Sequence, residues 1–292
     1  TNATSNFTIS EWNSLTLASN VSTFNSDNMT LSDNTVLNFG NVTSGYSRGS
    51  SETLTFASNI TMGSNSTINV GNGTTLNGNI YGTAGTLNVL GNFTSTGSIG
   101  AAQVDGADFI TSGLEQINIS KGNTFTLNNN ATATRMNING TVTVAGNITA
   151  AVTMGADGIL NLNNESGDDN AAKVVGAIQS YVAGTAQGTL NINGTFTTQG
   201  AIGQGGKGLA AINLSNSTWA NGFTTTFAHN VNATTIQIGT ATTQNNATLQ
   251  ITAGGTTAGV NIAVTGNIIG GGNATSADNA AGGIFLVSGN AT

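Results

Sequence analysis

The chain has 292 residues, of which only 6% are charged, against about 25% in ordinary soluble proteins. The five Lys and Arg are scattered along the chain, and with twelve Asp and Glu they give a formal net charge of -7. Binding of nucleic-acid phosphates needs clustered cations, so the composition excludes a nucleic-acid partner. No run of about twenty apolar residues predicts a transmembrane segment, and the lack of Cys excludes disulfides and thiolate metal sites.

One short pattern recurs along the chain: a β-prone residue, an aliphatic residue, Asn, a second aliphatic residue, and then Gly or Asn. The aliphatic, Asn and aliphatic triplets begin at residues 68, 87, 117, 136, 160, 190 and 212, and a copy with Gln in place of Asn begins at 236. This alternation has the period of a β-strand and places both aliphatic side chains on one face, with the amide on the other. Gly and Asn suit a tight corner because both tolerate positive φ.

The copies are separated by roughly 19 to 30 residues, which is the range of repeats that stack into solenoids. The sequence therefore predicts an all-β fold, a single-stranded parallel β-helix (β-solenoid) of short irregular coils. We expect one continuous solenoid over residues 1–292, with surface loop insertions near 101–116 and 164–188. Asn at repeating positions predicts side-chain ladders from coil to coil.

Residues 170–182 are the one segment with a helical pattern. Asp168 and Asp169 could cap a helix there, and Val174, Ile178 and Tyr181 lie about one turn apart. A short helix near 170–182 is one interpretation, and a strand or loop is the alternative.

Candidate catalytic groups are few. His229 is the only His, so a nucleophile and base pair has a single possible base, and a corner position is the simpler interpretation. The carboxylate pairs Asp105 with Asp108 and Asp168 with Asp169 would suit sugar chemistry, but no basic residues cluster near them. We expect no catalytic residues and no enzyme; a polysaccharide-active β-helix enzyme is the alternative from another class.

A hard cation is the one cofactor for which the sequence offers ligands. Glu165, Asp168 and Asp169 bring three carboxylates close to a Gly, which is the kind of oxygen cluster that calcium binds. A solvated loop or a helix cap explains the same residues.

Acceptor sequences for N-glycosylation are frequent, with Asn41, Asn92, Asn147 and Asn232 among the candidates. A chain rich in Asn and Thr supplies many such triplets by chance. Thr-x-Thr steps at 53/55, 124/126 and 141/143 suggest an ice-binding face, but they do not recur at one fixed spacing, which argues against it.

The Asn/Thr/Gly-rich blocks at 190–195 and 144–149 resemble the passenger regions of bacterial autotransporters, especially the large surface-antigen and surface-layer-like autotransporters of the rickettsial type. The resemblance is compositional and extends over nearly the whole chain. It implies a β-helical passenger displayed outside the outer membrane that serves as a coat, an adhesin or a filament.

Residues 1–10 lack the basic start and apolar middle of a signal peptide, which predicts a mature, processed chain at an extracellular cell surface.

Two functions follow as hypotheses for such a chain. Neither terminus resembles a polar cap, so we expect copies of the chain to polymerise head to tail or side by side into a filament, sheath or surface-layer-like coat. The alternative is a monomeric adhesin that binds a host or neighbouring cell surface.

Overall fold

A computed structural model describes residues 6–17, 23–39, 53–82, 84–101, 104–105, 108–109, 113–163, 174–215, 223–239, 247–252, 262–270 and 284–288. Within these ranges all regular secondary structure is β-strand, and the strands stack in long parallel sheets. The predicted all-β class and the parallel β-solenoid are confirmed. The chain divides into two compact units, residues 1–150 and 151–292.

The first unit contains strands of two to eight residues. In chain order these are β1 (Asn6–Ile9), β2 (Ser14–Leu17), β3 (Thr23–Phe24), β4 (Asn28–Leu31), β5 (Val36–Phe39), β6 (Leu54–Phe56), β7 (Asn59–Met62), β8 (Thr67–Val70), β9 (Thr74–Leu76), β10 (Ile80–Gly82), β11 (Thr86–Val89), β12 (Phe93–Ser95), β13 (Ile99–Ala101), β14 (Val104–Asp105), β15 (Asp108–Phe109), β16 (Leu114–Ile119), β17 (Thr124–Leu127), β18 (Ala131–Ile138) and β19 (Thr141–Val144).

Three parallel sheets close around the core of this unit. Sheet 1 has the order β1-β4-β7-β10-β13-β18, sheet 2 the order β2-β5-β8-β11-β16-β18, and sheet 3 the order β3-β6-β9-β12-β17-β19. Each coil thus contributes one strand to every sheet, and β18 bends from sheet 1 into sheet 2. An antiparallel hairpin of β14 and β15 stands between β13 and β16.

Alternation along each strand separates core from surface. In β8 the side chains of Ile68 and Val70 are fully buried, while Thr67 and Asn69 are half-buried on the outer face. Aromatic side chains in the interior stack on those of the neighbouring coil. The rings of Phe93 and Phe125 lie 5.1 Å apart at an interplanar angle of 9°. The apolar interior is therefore a set of columns that run from coil to coil rather than one globular core.

The corners between strands require residues without a large side chain. At the corner from sheet 3 to sheet 1, a Cβ added to Gly97 would lie 2.1 Å from the carbonyl oxygen of Gly78, and one added to Gly78 would lie 2.0 Å from that of Ser58. Adjacent coils approach here backbone to backbone. Only Gly permits this distance.

The second unit repeats the arrangement. Its strands are β20 (Ile148–Met154), which contains the division point, β21 (Ile159–Asn163), β22 (Val174–Val175), β23 (Ile178–Ser180), β24 (Thr189–Asn193), β25 (Phe196–Thr197), β26 (Leu209–Ser215), β27 (Phe223–Phe227), β28 (Val231–Ile238), β29 (Ala247–Thr252), β30 (Val264–Gly270) and β31 (Ile284–Ser288).

Two parallel ladders organise this unit. One has the order β21-β24-β26-β28-β30 and the other the order β25-β27-β29-β31. A third, less regular side pairs β20 with β23 and continues through single bridges from Ile178 to Ile202 and from Ile202 to Val231. The stacked ladders show that the second unit is a parallel solenoid as well.

The helix interpretation of residues 170–182 is wrong over residues 174–182, and the strand alternative is confirmed for 174–175 and 178–180. Residues 174–175 and 178–180 form β22 and β23, while 170–173 lie outside the described residues. Ile178 and Ser180 are both buried, which is the period of a strand, and Gly176 has φ of 136°. The apolar spacing fitted either period, and pairing with β20 decided for the strand.

Candidate functional site

Outward-facing amides on sheet 2 form a continuous hydrogen-bonded ladder through the first unit. Nδ2 of each Asn donates to the side-chain oxygen of its counterpart in the preceding coil, at 2.8 Å for three consecutive bonds that join Asn69, Asn88, Asn118 and Asn137. At the other end of the ladder Asn69 donates to Asn38 at 2.8 Å. The predicted ladder is confirmed, and it links the coils without charge.

The second unit carries a ladder of the same kind. Asn191 donates to Asn161 at 2.7 Å, and Asn213 donates to Asn191 at 2.8 Å. In the next coil Gln237 occupies the position and donates instead to the carbonyl oxygen of Gly239 at 3.2 Å. The amide of the longer Gln side chain therefore bonds to the backbone at the end of its own strand.

Corner amides make a second kind of contact between coils. Oδ1 of Asn92 accepts a hydrogen bond from the backbone N–H of Thr124 at 2.9 Å, and the backbone N–H of Asn92 donates to Oδ1 of Asn72 at 3.2 Å. The backbone N–H of Asn147 donates in the same way to Asn130 at 2.9 Å. At Asn92 the oxygen of the amide is thus engaged in holding the stack together.

The remaining glycosylation candidates lie in different settings. Asn41 lies outside the described residues. Asn232 is half-buried and lines an open cavity of about 300 Å³ in the second unit, together with residues 202–205, Asn230 and Thr265. The lining is uncharged, which suits a neutral polar group rather than an ion.

Outward threonines on sheet 3 stand in one column. Thr55 pairs with Thr75, Thr75 with Thr94, Thr94 with Thr126, and Thr126 with Thr143. Their spacing along the sequence is irregular, yet they lie in register on neighbouring strands. Loops of different length absorb the irregularity and leave the strands in register.

Ionisable groups form no compact centre in the part of the chain that the structure describes. No group of three or more His, Asp and Glu within those residues could hold a metal ion. The calcium candidates Glu165, Asp168 and Asp169 lie outside the described residues, and so do the side chains of the Asp105 and Asp108 pair. His229 is exposed at the corner between β27 and β28.

The first coil exposes side chains that are buried in every coil stacked on it. Phe7 is in register with Met29; Phe7 is 39% exposed and Met29 is fully buried. Phe24 is half-buried and stacks on the buried Phe56, with centroids 5.0 Å apart and an interplanar angle of 1°. Among the described residues β1, β2 and β3 each pair on one side only. The outer side of this coil therefore presents apolar side chains beside unpaired backbone groups.

The turn between β1 and β2 carries an aromatic residue in an unusual conformation. Trp12 has φ of 64° and is 76% exposed, and its counterparts in the next two coils are Asn34 and Asn65, with φ of 58° and 55°. Asn is common in this left-handed region, whereas a bulky residue there costs roughly 1–2 kcal/mol. Since the side chain stays largely exposed, the fold gains little buried surface in return, which makes Trp12 a candidate for a role outside folding.

Comparison with known proteins gives no match to a family model, to a curated protein or to a solved structure. The fold and the geometry place the chain in the class of parallel β-solenoids. No helix among the described residues is long and apolar enough to span a membrane.

Proposed function

We propose that this chain is a non-enzymatic, extracellular structural protein that self-assembles into a cell-surface filament, sheath or surface-layer-like coat. The observation that supports the proposal is the first described coil, where Phe7 and Phe24 are partly exposed and where, among the described residues, three strands pair on one side only. Such an edge is a template for further parallel strands. A contact of this kind does not close on itself, so repetition gives a polymer.

The chemistry of the surface fits this role. Amide ladders join the coils without charge, and the ion pair of Arg135 with Glu115 has both side chains at least half exposed. Exposed pairs contribute little to stability and are screened by salt. The fold is thus suited to an extracellular setting in which salt and pH vary.

An adhesive passenger is the second candidate, and Trp12 is the observation that favours it. A large exposed aromatic side chain on a turn is typical of a contact residue rather than a structural one. This function predicts monomers that bind a surface, whereas the structural function predicts polymers of the purified chain.

The test is the state of association of the 292-residue chain, followed by sedimentation velocity and negative-stain electron microscopy over a range of concentrations, with and without calcium. We expect ordered filaments or sheets that grow with concentration. Phe7→Lys, which places a charge on the exposed side of the first described coil, should leave monomers. Thr30→Lys, an exposed position on the same sheet, is the matched control and should assemble normally. Monomers of the unaltered chain at its highest soluble concentration would refute the proposal.

A further inference from the structure

We propose that the corner around Trp12 is a binding site for an uncharged saccharide chain. This goes beyond the proposed assembly, since it assigns a ligand to one exposed corner of the first coil.

The turn does not require the indole ring. Its backbone closes through the N–H of Asn13, which donates to the carbonyl oxygen of Ser10 at 3.2 Å, and the side-chain amide of Asn13 donates to the carbonyls of Ser10 and Glu11 at 3.3 Å and 3.2 Å. The equivalent turn of the third coil closes in the same way with Asn65 at the left-handed position. Asn would therefore serve the fold better than Trp at position 12.

A row of polar groups runs along the same corner from coil to coil. Nδ2 of Asn34 donates to Oε1 of Glu11 at 3.4 Å, and Nδ2 of Asn65 donates to Oδ1 of Asn34 at 3.4 Å. Both bonds are long, and Glu11 and Asn65 are exposed, so the amides and the carboxylate retain capacity for further hydrogen bonds. Since coils repeat at about 4.8 Å, the row extends from the indole ring over two coil steps.

The local charge restricts the ligand. Residues 6–17, 23–39 and 53–82, which are the described parts of the first three coils, contain no Lys or Arg. Among these described residues, an anionic ligand would meet Glu11 without a compensating cation. Asp33 is already engaged, since its Oδ1 accepts the backbone N–H of Ser64 at 2.7 Å. An uncharged ligand therefore fits the corner better than an anion does.

A saccharide matches the groups that are present. A pyranose ring has a face of C–H groups that packs on a flat aromatic surface, and an edge of hydroxyls that donate to and accept from amides and carboxylates. An extended chain of such rings can follow a row of amides along a solenoid corner. Trp12 would hold one ring, while the amides of Asn34 and Asn65 would hold hydroxyls further along.

The test is a fluorescence titration of the 292-residue chain with neutral hexasaccharides of glucose, mannose, galactose and N-acetylglucosamine. It uses a Trp219→Phe background, so that Trp12 is the only indole, and a protein concentration below any assembly. We expect at least one hexasaccharide to shift the emission of Trp12. Calorimetry should then show that Trp12→Asn weakens binding by roughly tenfold or more, without lowering the melting temperature.

Two further variants separate a binding site from an unspecific effect. Tyr181→Asn removes another exposed aromatic residue, 70% exposed on a turn of the second unit, and should leave the affinity unchanged. Glu11→Gln keeps a side-chain oxygen that accepts hydrogen bonds, so it should weaken saccharide binding less than Trp12→Asn does, whereas the loss of charge would abolish binding of a cationic ligand such as polylysine. The proposal is overturned if no hexasaccharide binds, if Trp12→Asn binds as the unaltered chain does, or if only polylysine binds. Loss of filaments does not bear on these outcomes, because binding is measured on dispersed protein.

Discussion

Asn88 is the position at which the contribution of the amide ladder can be measured. Its Nδ2 donates to Asn69 and its Oδ1 accepts from Asn118, both at 2.8 Å. Asn88→Ala removes two hydrogen bonds that each contribute about 1 kcal/mol, and it leaves a half-buried donor and a half-buried acceptor unpaired. We expect a loss of ~2–3 kcal/mol in the free energy of unfolding.

Urea denaturation followed by circular dichroism measures this loss. With a slope of roughly 2 kcal/mol per M, the midpoint should fall by about 1 M. Thr16→Val is the control, since Thr16 ends the ladder and accepts a single bond from Asn38 at 3.1 Å on an exposed surface. That variant should lose ~1 kcal/mol or less.

A double-mutant cycle isolates the ladder from side-chain truncation. Asn88→Ala and Asn118→Ala remove the same shared bond, so the double variant should lose less than the sum of the single losses. Strict additivity, or a loss at Asn88 no larger than that of Thr16→Val, would show that the amides stabilise the stack only as separate surface residues.

Three other substitutions test the core, the corners and the surface charge. Gly97→Ala should lower the melting temperature or prevent folding, because its Cβ would lie 2.1 Å from the carbonyl oxygen of Gly78; an unchanged melting curve would contradict the close approach. Phe125→Ala should cost ~3–5 kcal/mol in urea denaturation, since the buried ring stacks on Phe93 at 5.1 Å, and a loss under about 1 kcal/mol would disprove the aromatic column. Glu115→Gln should change stability by less than ~0.5 kcal/mol at low and high salt, because its ion pair is exposed; a strong salt dependence would be the contrary result.

The strand blocks of sheet 2 were predictable because their pattern is local. Ile68, Leu87, Ile117 and Met136, which the repeated motif aligned, lie in one buried column. The Asn between the two aliphatic residues of each block faces outward in every case. Alternation alone determines the face of each side chain, so the register of this sheet followed from aligning the blocks.

The other two sheets had no such motif. Their strands are as short as two residues, as in β3 (Thr23–Phe24), and their apolar residues alternate over too few positions to be recognised. Residues 174–182 illustrate the ambiguity, since Val174 and Ile178 fit a helical period equally well until pairing with β20 fixed them in strands. The threonine column of sheet 3 was missed for a related reason, because irregular loops concealed its register.

By itself, the sequence determined the class of fold, the inward and outward faces of the repeated strands and the amide ladders. These properties depend on residues that are neighbours along the chain. The tertiary structure decided which coils meet, and only that stacking revealed the exposed Phe7 of the first coil and the contrast between Trp12 and its counterparts Asn34 and Asn65. Both features are differences between equivalent positions of successive coils. Equivalence across loops of unequal length is fixed by hydrogen bonding between coils, not by distance along the chain.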